Sequence, residues 1–356
     1  MSNPNVSEAR VKIGVIGLGR MGLSHLSILR PHPGVEIVGI SDTSRYLLDV
    51  MRRYTGLPAY RDHRELLERG RPDAVVVATP TGSHAAICEP ILESGVGVFL
   101  EKPLALTVES GERIVELAAR HAVTTQVGYH FRFVPSFEEA RRWCRAGHIG
   151  RIHHFHVAAH GPAVVRPRGT TWRARKSEGG GCLYDYASHA ADLASFVFGQ
   201  PDNVGGSIVR SVFSKDVDDE VYANFSYAGG LTGQLSANWS DATQRKMSVR
   251  VEIWGTDGKI TADRQEAHVF LRNDPPAESG LRAGWNVRHV PDLIAPVRYY
   301  VRGEEYTLQL DRFVESVGLG RVDDDYSFAS AHATDVVLDR IRRDADAQAG
   351  MGADTR

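Results

Sequence analysis

The feature that most constrains this chain is a six-residue turn, Gly17-Leu18-Gly19-Arg20-Met21-Gly22, between the apolar run Val11 to Ile16 and a stretch of helical spacing. Glycines at the first, third and sixth positions let a backbone turn tightly, admit a pyrophosphate against its amides, and bring the next helix close to the sheet. Further apolar runs at Val35 to Ser41, Ala74 to Thr79, Val96 to Leu100 and Thr124 to Val127 read as buried parallel strands. Amphipathic stretches lie between them, such as Glu109 to His121 with its stripe of Ile114, Val115, Leu117 and Ala118. Alternation of this kind predicts an α/β fold with a doubly wound parallel sheet, which binds ligands beyond the carboxyl ends of its strands.

Asp42 ends the second strand, twenty positions after Gly22, where a carboxylate accepts the ribose hydroxyls of an adenosine. Its charge favours NAD, while Arg45, within a turn of it, admits NADP through a 2′-phosphate. The strand ending at Leu100 delivers Glu101-Lys102-Pro103 at the same carboxyl edge, which places an ammonium where a nicotinamide would lie.

At 356 residues the chain is long enough for about two domains of roughly 150 residues each. Forty-two Lys plus Arg against 44 Asp plus Glu give no basic surplus to draw it onto nucleic acid or an anionic membrane. Cys88, Cys144 and Cys182 form no CxxC pair and no disulfide framework, which fits a reducing compartment. The polar start MSNPNVSEAR resembles no signal segment, and no run approaches the roughly 18 apolar residues of a membrane span, so a cytoplasmic protein is expected.

A second motif, Gly179-Gly180-Gly181, opens onto an expected helix from Asp185 to Phe198. Asp185, His189 and Asp192 stand at i, i+4 and i+7, which puts all three on one helix face and brackets the imidazole with carboxylates. Such a neighbour sets the tautomer of His189 and raises its basicity, as suits a base that removes a hydroxyl proton; a satisfied, partly buried histidine would show the same spacing.

With GLGRMG, EKP ending at Pro103 and GGG-x-x-x-D-x-x-x-H ending at His189 in this order, the chain resembles the family of glucose-fructose oxidoreductase, inositol dehydrogenase and the rhizopine-catabolism protein, Gfo/Idh/MocA. Thr79-Pro80-Thr81-Gly82-Ser83-His84 and Gly128-Tyr129-His130-Phe131-Arg132 extend the likeness over nearly the whole chain. The resemblance implies a Rossmann domain over residues 1–128, a substrate-binding and oligomerisation α/β domain with a large, open, mainly antiparallel sheet over 129–347, and a flexible tail over 348–356. It also implies that the C-terminal helix can pack back on the first domain. The sequence supports the second sheet independently: Val221, Ala223, Phe225 and Tyr227 alternate with polar residues, as do Met247, Val249, Val251 and Ile253. A sheet with one face uncovered by helices suggests a homodimer or homotetramer.

By the same resemblance Lys102, Asp185 and His189 occupy catalytic positions, and family members oxidise a secondary alcohol of a sugar or cyclitol with NAD(P) as hydride acceptor. The cofactor would meet Gly17, Gly19, Arg20, Met21, Gly22, Asp42, Thr79, Pro80, His84, Glu101 and Lys102. The substrate would meet Lys102, His130, Arg132, Trp172, Arg173, Asp185 and His189. Pro103 matches a family proline that often follows a cis peptide. Ala187 stands where the family commonly has glycine, a change that bears on pocket shape.

Residues 166–176 hold five basic side chains in eleven positions, which suits a wall that grips a phosphate, carboxylate or nucleotide-sugar diphosphate, and equally a solvated loop. His153, His154, His156 and His160 have no Asp, Glu or Cys close in sequence to complete a ligand set, so no metal is expected. Two other readings keep the fold: a regulator that binds NAD without chemistry, and a glycosidase that uses NAD transiently.

Overall fold

The computed structural model describes residues 10–165, 172–294, 304–322 and 325–353. The chain divides into two units, one formed by residues 1–128 and 297–332 and the other by 129–296 and 333–356.

The first unit is built on six parallel strands, β1 Val11–Ile16, β2 Val35–Ser41, β3 Ala59–Tyr60, β4 Ala74–Val77, β5 Gly97–Leu100 and β6 Thr125–Val127, in the order β3-β2-β1-β4-β5-β6. β4 reads Ala-Val-Val-Val and is buried at every position, as expected of a central strand covered on both faces, where stiff β-branched side chains pack well. Helices α1 Arg20–Leu29, α2 Arg45–Thr55, α3 His63–Gly70, α4 His84–Glu93 and α5 Val108–Arg120 make the connections. α2 shows why such segments start and stop where they do: the Ser44 hydroxyl accepts from the Leu47 amide at its start, and Gly56 closes it in the left-handed region.

The second unit carries eight strands, β7 Ile152–His160, β8 Asn203–Arg210, β9 Glu220–Ser226, β10 Thr232–Asn238, β11 Ser248–Gly255, β12 Gly258–Asp263, β13 Glu266–Leu271 and β14 Gly284–His289. Their order is β14-β13-β12-β11-β7-β10-β9-β8, antiparallel throughout except for β10 beside β7. Alternate side chains such as Phe155, Val157 and Ala159 face a core shared with α6 Pro135–Arg145 and α7 Ser188–Phe198. A short helix, α8 Val290–Leu293, follows β14.

The expected second domain is not continuous. Helix α9 Glu304–Gly318 joins the first unit, because Leu310, Phe313 and Val314 complete the core around β1 and α1. α10 Phe328–Ala353 runs through 348–353 of the expected tail, and the rest of it lies outside the described residues. Among the described residues, no helix is long and apolar enough to cross a membrane.

Candidate active site

In the first unit the glycine turn has the geometry its spacing suggested. Gly17 lies at φ +87° and donates its amide to the Ser41 carbonyl at 2.8 Å. A methyl on Gly22 would overlap the Gly17 carbonyl oxygen, so the first turn of α1 closes on the loop only with glycine there. Gly19 is different, because a methyl built on it meets nothing within 4 Å. Among the described residues no side chain caps α1 at Gly19, and the first-turn amides at Arg20, Met21 and Gly22 have no partner inside the helix. An open approach and orphan amides at a helix N-terminus fit the diphosphate of a dinucleotide.

Asp42 stands beside this turn. One carboxylate oxygen accepts from the Leu18 amide at 2.6 Å and the other from the Ser44 amide at 2.7 Å. The Arg45 side chain is 82% exposed and pairs with Asp49 at 3.9 Å.

At the end of β5, Glu101 and Lys102 precede a cis peptide to Pro103. Glu101 meets the wholly buried His25 of α1 at 2.5 Å and also accepts from the Lys102 amide at 3.3 Å. Sequence reasoning missed His25, whose only signal was a histidine on the apolar face of α1. His84, expected to touch the cofactor, is completely buried behind the loops. Its Nε2 lies 3.0 Å from the Thr79 carbonyl and its Nδ1 3.1 Å from that of Pro103. Burial lowers its pKa from the usual histidine value, the facing carbonyls of Thr79, Leu104 and Pro103 acting in the opposite sense, and a neutral ring donates its one N–H to only one side. The ring thus packs between the Thr79-Pro80 and Glu101-Pro103 loops.

In the second unit, the three glycines seat a neighbouring segment. A methyl on Gly180 would overlap the carbonyl oxygen of Arg173, and the Gly181 amide donates to that oxygen at 3.1 Å. Asp218 starts the following helix by accepting from the Leu183 amide at 2.7 Å, another contact invisible to motif reading. The first turn, Leu183–Ala187, is a π-helix that leads directly into α7; a wide turn of this kind frequently marks a functional position.

The two acids expected to bracket His189 each take an arginine as partner. Asp185 receives Arg173 Nε at 2.6 Å and Nη2 at 3.4 Å. Asp192 receives Arg132 Nε at 2.9 Å and Nη2 at 2.5 Å, and the Thr334 hydroxyl at 3.2 Å. Arg132 thus stands in a buried pair, its side chain 3% exposed and that of Asp192 1%. His189, 4% exposed, stands edge-on to Phe131, His130 and Tyr129, with ring centroids 5.0, 5.2 and 6.0 Å away. Burial drives the Tyr129 phenol well above its ordinary pKa, so it stays protonated beside the imidazole.

Trp172 lies 5.0 Å from the Arg173 guanidinium, whereas Arg166 and Arg168 fall outside the described residues. The histidines of β7 serve the sheet: His154 meets the Thr232 hydroxyl at 2.8 Å, and His156 and His160 meet that of Ser236 at 3.0 and 3.1 Å.

Two family profiles match the chain. One, described as an oxidoreductase family with an NAD-binding Rossmann fold, covers residues 11–129, and the other, a GFO/IDH/MocA C-terminal domain, covers 137–261. The chain is 27% identical to scyllo-inositol 2-dehydrogenase (NAD(+)) of Bacillus subtilis over 88% of both chains. It is 29% identical to myo-inositol 2-dehydrogenase of Thermotoga maritima over 76% of this chain and 81% of that one. Levoglucosan dehydrogenase, solved with NADH and levoglucosan, superposes with a TM-score of 0.82 at 25% identity, over 95% of this chain and 97% of that one.

Proposed function

The chain belongs to the Gfo/Idh/MocA oxidoreductase family, and from that premise we propose that it is an NAD-dependent dehydrogenase oxidising a secondary alcohol of a sugar, sugar derivative or cyclitol. The observation that carries this reading is topological. The glycine turn after β1 and Lys102 after β5 leave the same carboxyl edge of one parallel sheet, the edge at which dinucleotides bind, and this supports a site that joins a diphosphate and an ammonium.

When bound, NAD accepts a hydride from the carbinol carbon. The amides at the start of α1 hold the diphosphate, and Asp42 accepts the adenosine ribose hydroxyls next to the turn it stabilises. Lys102 donates to the alcohol oxygen and stabilises the charge that grows there as its proton leaves. His189 takes that proton, and its collar of rings excludes water from the imidazole. Asp185 orients the neighbouring substrate hydroxyl through the carboxylate that Arg173 holds in place. The outer face of the second sheet, with Trp285 53% exposed, suits a homodimer or homotetramer, which light scattering of the purified protein reads directly.

The test follows NADH absorbance while NAD is offered with inositols, free sugars, sugar acids and sugar phosphates. Lys102→Ala and His189→Ala are each expected to lose about 10²- to 10⁴-fold in turnover, His189→Ala with NADH binding like that of the parent. Full activity in both variants would remove the assignment. Asp42→Ala is expected to weaken NAD more than NADP, and an equal loss for both would refute the preference for NAD.

A further inference from the structure

Arg173 is built into its place. Its carbonyl oxygen receives the Gly181 amide at 3.1 Å, the adjoining Gly180 has no room for a methyl against that oxygen, and the Trp172 ring lies 5.0 Å from the guanidinium. The glycine run thus fixes the backbone that carries Arg173, and with it a cation over Asp185. The pair is asymmetric: the Asp185 side chain is 5% exposed, whereas that of Arg173 is 39% exposed. Asp185 occupies one edge of the guanidinium through Nε and Nη2, and among the described residues Nη1 makes no hydrogen bond. An approaching ligand therefore meets the cation first, on a planar edge of donors that, among the described residues, has no acceptor bonded to Nη1.

A guanidinium edge of this kind matches a planar two-oxygen acceptor, one N–H to each oxygen. We propose that the substrate carries a carboxylate that docks on the outward Nη edge of Arg173, so that the chain acts on acidic sugars of the uronic or aldonic acid type and not on their neutral parents. The inference rests on the reading of Asp185 as a residue that meets the substrate. It makes Arg173 the specificity residue. The substrate carboxylate and Asp185 share one cation, so each weakens the other's hold on it, and removing the Asp185 charge strengthens the ligand's.

Full-length protein loaded with NADH is titrated calorimetrically with D-glucuronate and D-galacturonate, with glucose and galactose as neutral parents, and with a hexose phosphate. At least one uronate is expected to bind about tenfold more tightly than its parent sugar. Arg173→Gln should abolish that difference, the uronate losing clearly more affinity than its neutral parent, and Arg173→Lys, which keeps the charge without the fork, should retain only part of it. Asp185→Asn should tighten uronate binding by about threefold or more, a gain that a purely structural pair would not produce. Circular dichroism establishes that each variant is folded.

The proposal fails if no uronate outbinds its parent, if Arg173→Gln leaves uronate affinity unchanged, or if Asp185→Asn weakens it. An Arg173-dependent gain confined to the hexose phosphate overturns the carboxylate in favour of a phosphate. Arg173-dependent uronate binding without NADH formation from NAD overturns the dehydrogenase reading and leaves the anion site standing. Oxidation of neutral sugars alone does the reverse.

Discussion

Two arginine–aspartate pairs in the second unit have similar side-on geometry and opposite surroundings. Arg132 and Asp192 are 3% and 1% exposed, and the Thr334 hydroxyl adds a further donor to the carboxylate. Arg173 and Asp185 are 39% and 5% exposed. A pair sealed on both sides has lost its hydration completely and depends on the match between its members, so it fixes structure. A pair sealed on one side keeps solvent and ligand access to the cation and contributes little to folding. The difference separates a scaffold from a receptor made of the same two residue types.

The largest expected effect breaks the sealed pair. Arg132→Ala leaves Asp192 buried without its cation and should destabilise the second unit by about 3–5 kcal/mol, read by urea unfolding. A loss as small as that of a surface variant would show that water reaches the pair. Asp219 sharpens the comparison, since it is fully buried and accepts from the amides of Val212, Phe213 and Ser214. Burial alone would raise its pKa, but these backbone donors outweigh it and hold the carboxyl below the ordinary range. Its stabilisation is therefore complete above the unfolded aspartate value, about 3.9, and is lost as pH falls through the lower folded value. Asp219→Asn should cost about 1–3 kcal/mol at neutral pH and flatten this acid limb in a pH series of unfolding curves. An unchanged limb would assign it to other carboxylates. The smallest effect belongs to the half-open pair: Arg173→Gln should shift stability by less than about 1 kcal/mol. A loss comparable to that of Arg132→Ala would make both pairs scaffold.

Much of the cofactor half was legible in the chain. The spacing from Gly22 to Asp42 placed a carboxylate beside the turn, where it now bonds the Leu18 amide. Gly17, Gly19 and Gly22 could be assigned separate tasks because each follows from local backbone sterics. His84 was singled out by its motif, but that motif does not show that its ring packs between the Thr79 and Pro103 carbonyls. His25 was not found, because the apolar period of α1 shows which face is buried but not that Glu101, 76 positions away, waits there. The helix-face argument set Asp185, His189 and Asp192 on one α-helix, but Asp185 lies in the π-helical turn ahead of α7, and spacing along a helix cannot weigh competing partners from elsewhere. Arg132 reaches Asp192 across 60 positions, and Arg173 reaches Asp185 from the far side of the glycine run.

The amino-acid sequence by itself determined the alternation of strands and helices, the glycine turn, the lysine at a strand's carboxyl end and the period-two pattern of the second sheet. All of these depend on sterics and hydrophobic period within a few residues, or on a chain order that few folds share. Only the tertiary structure decided that α9 completes the first core and which arginine each aspartate takes. It alone made one ion pair sealed and the other half open. Burial and partner choice belong to surfaces brought together from distant parts of the chain, and the free energy of a buried charge depends on what that assembly leaves beside it.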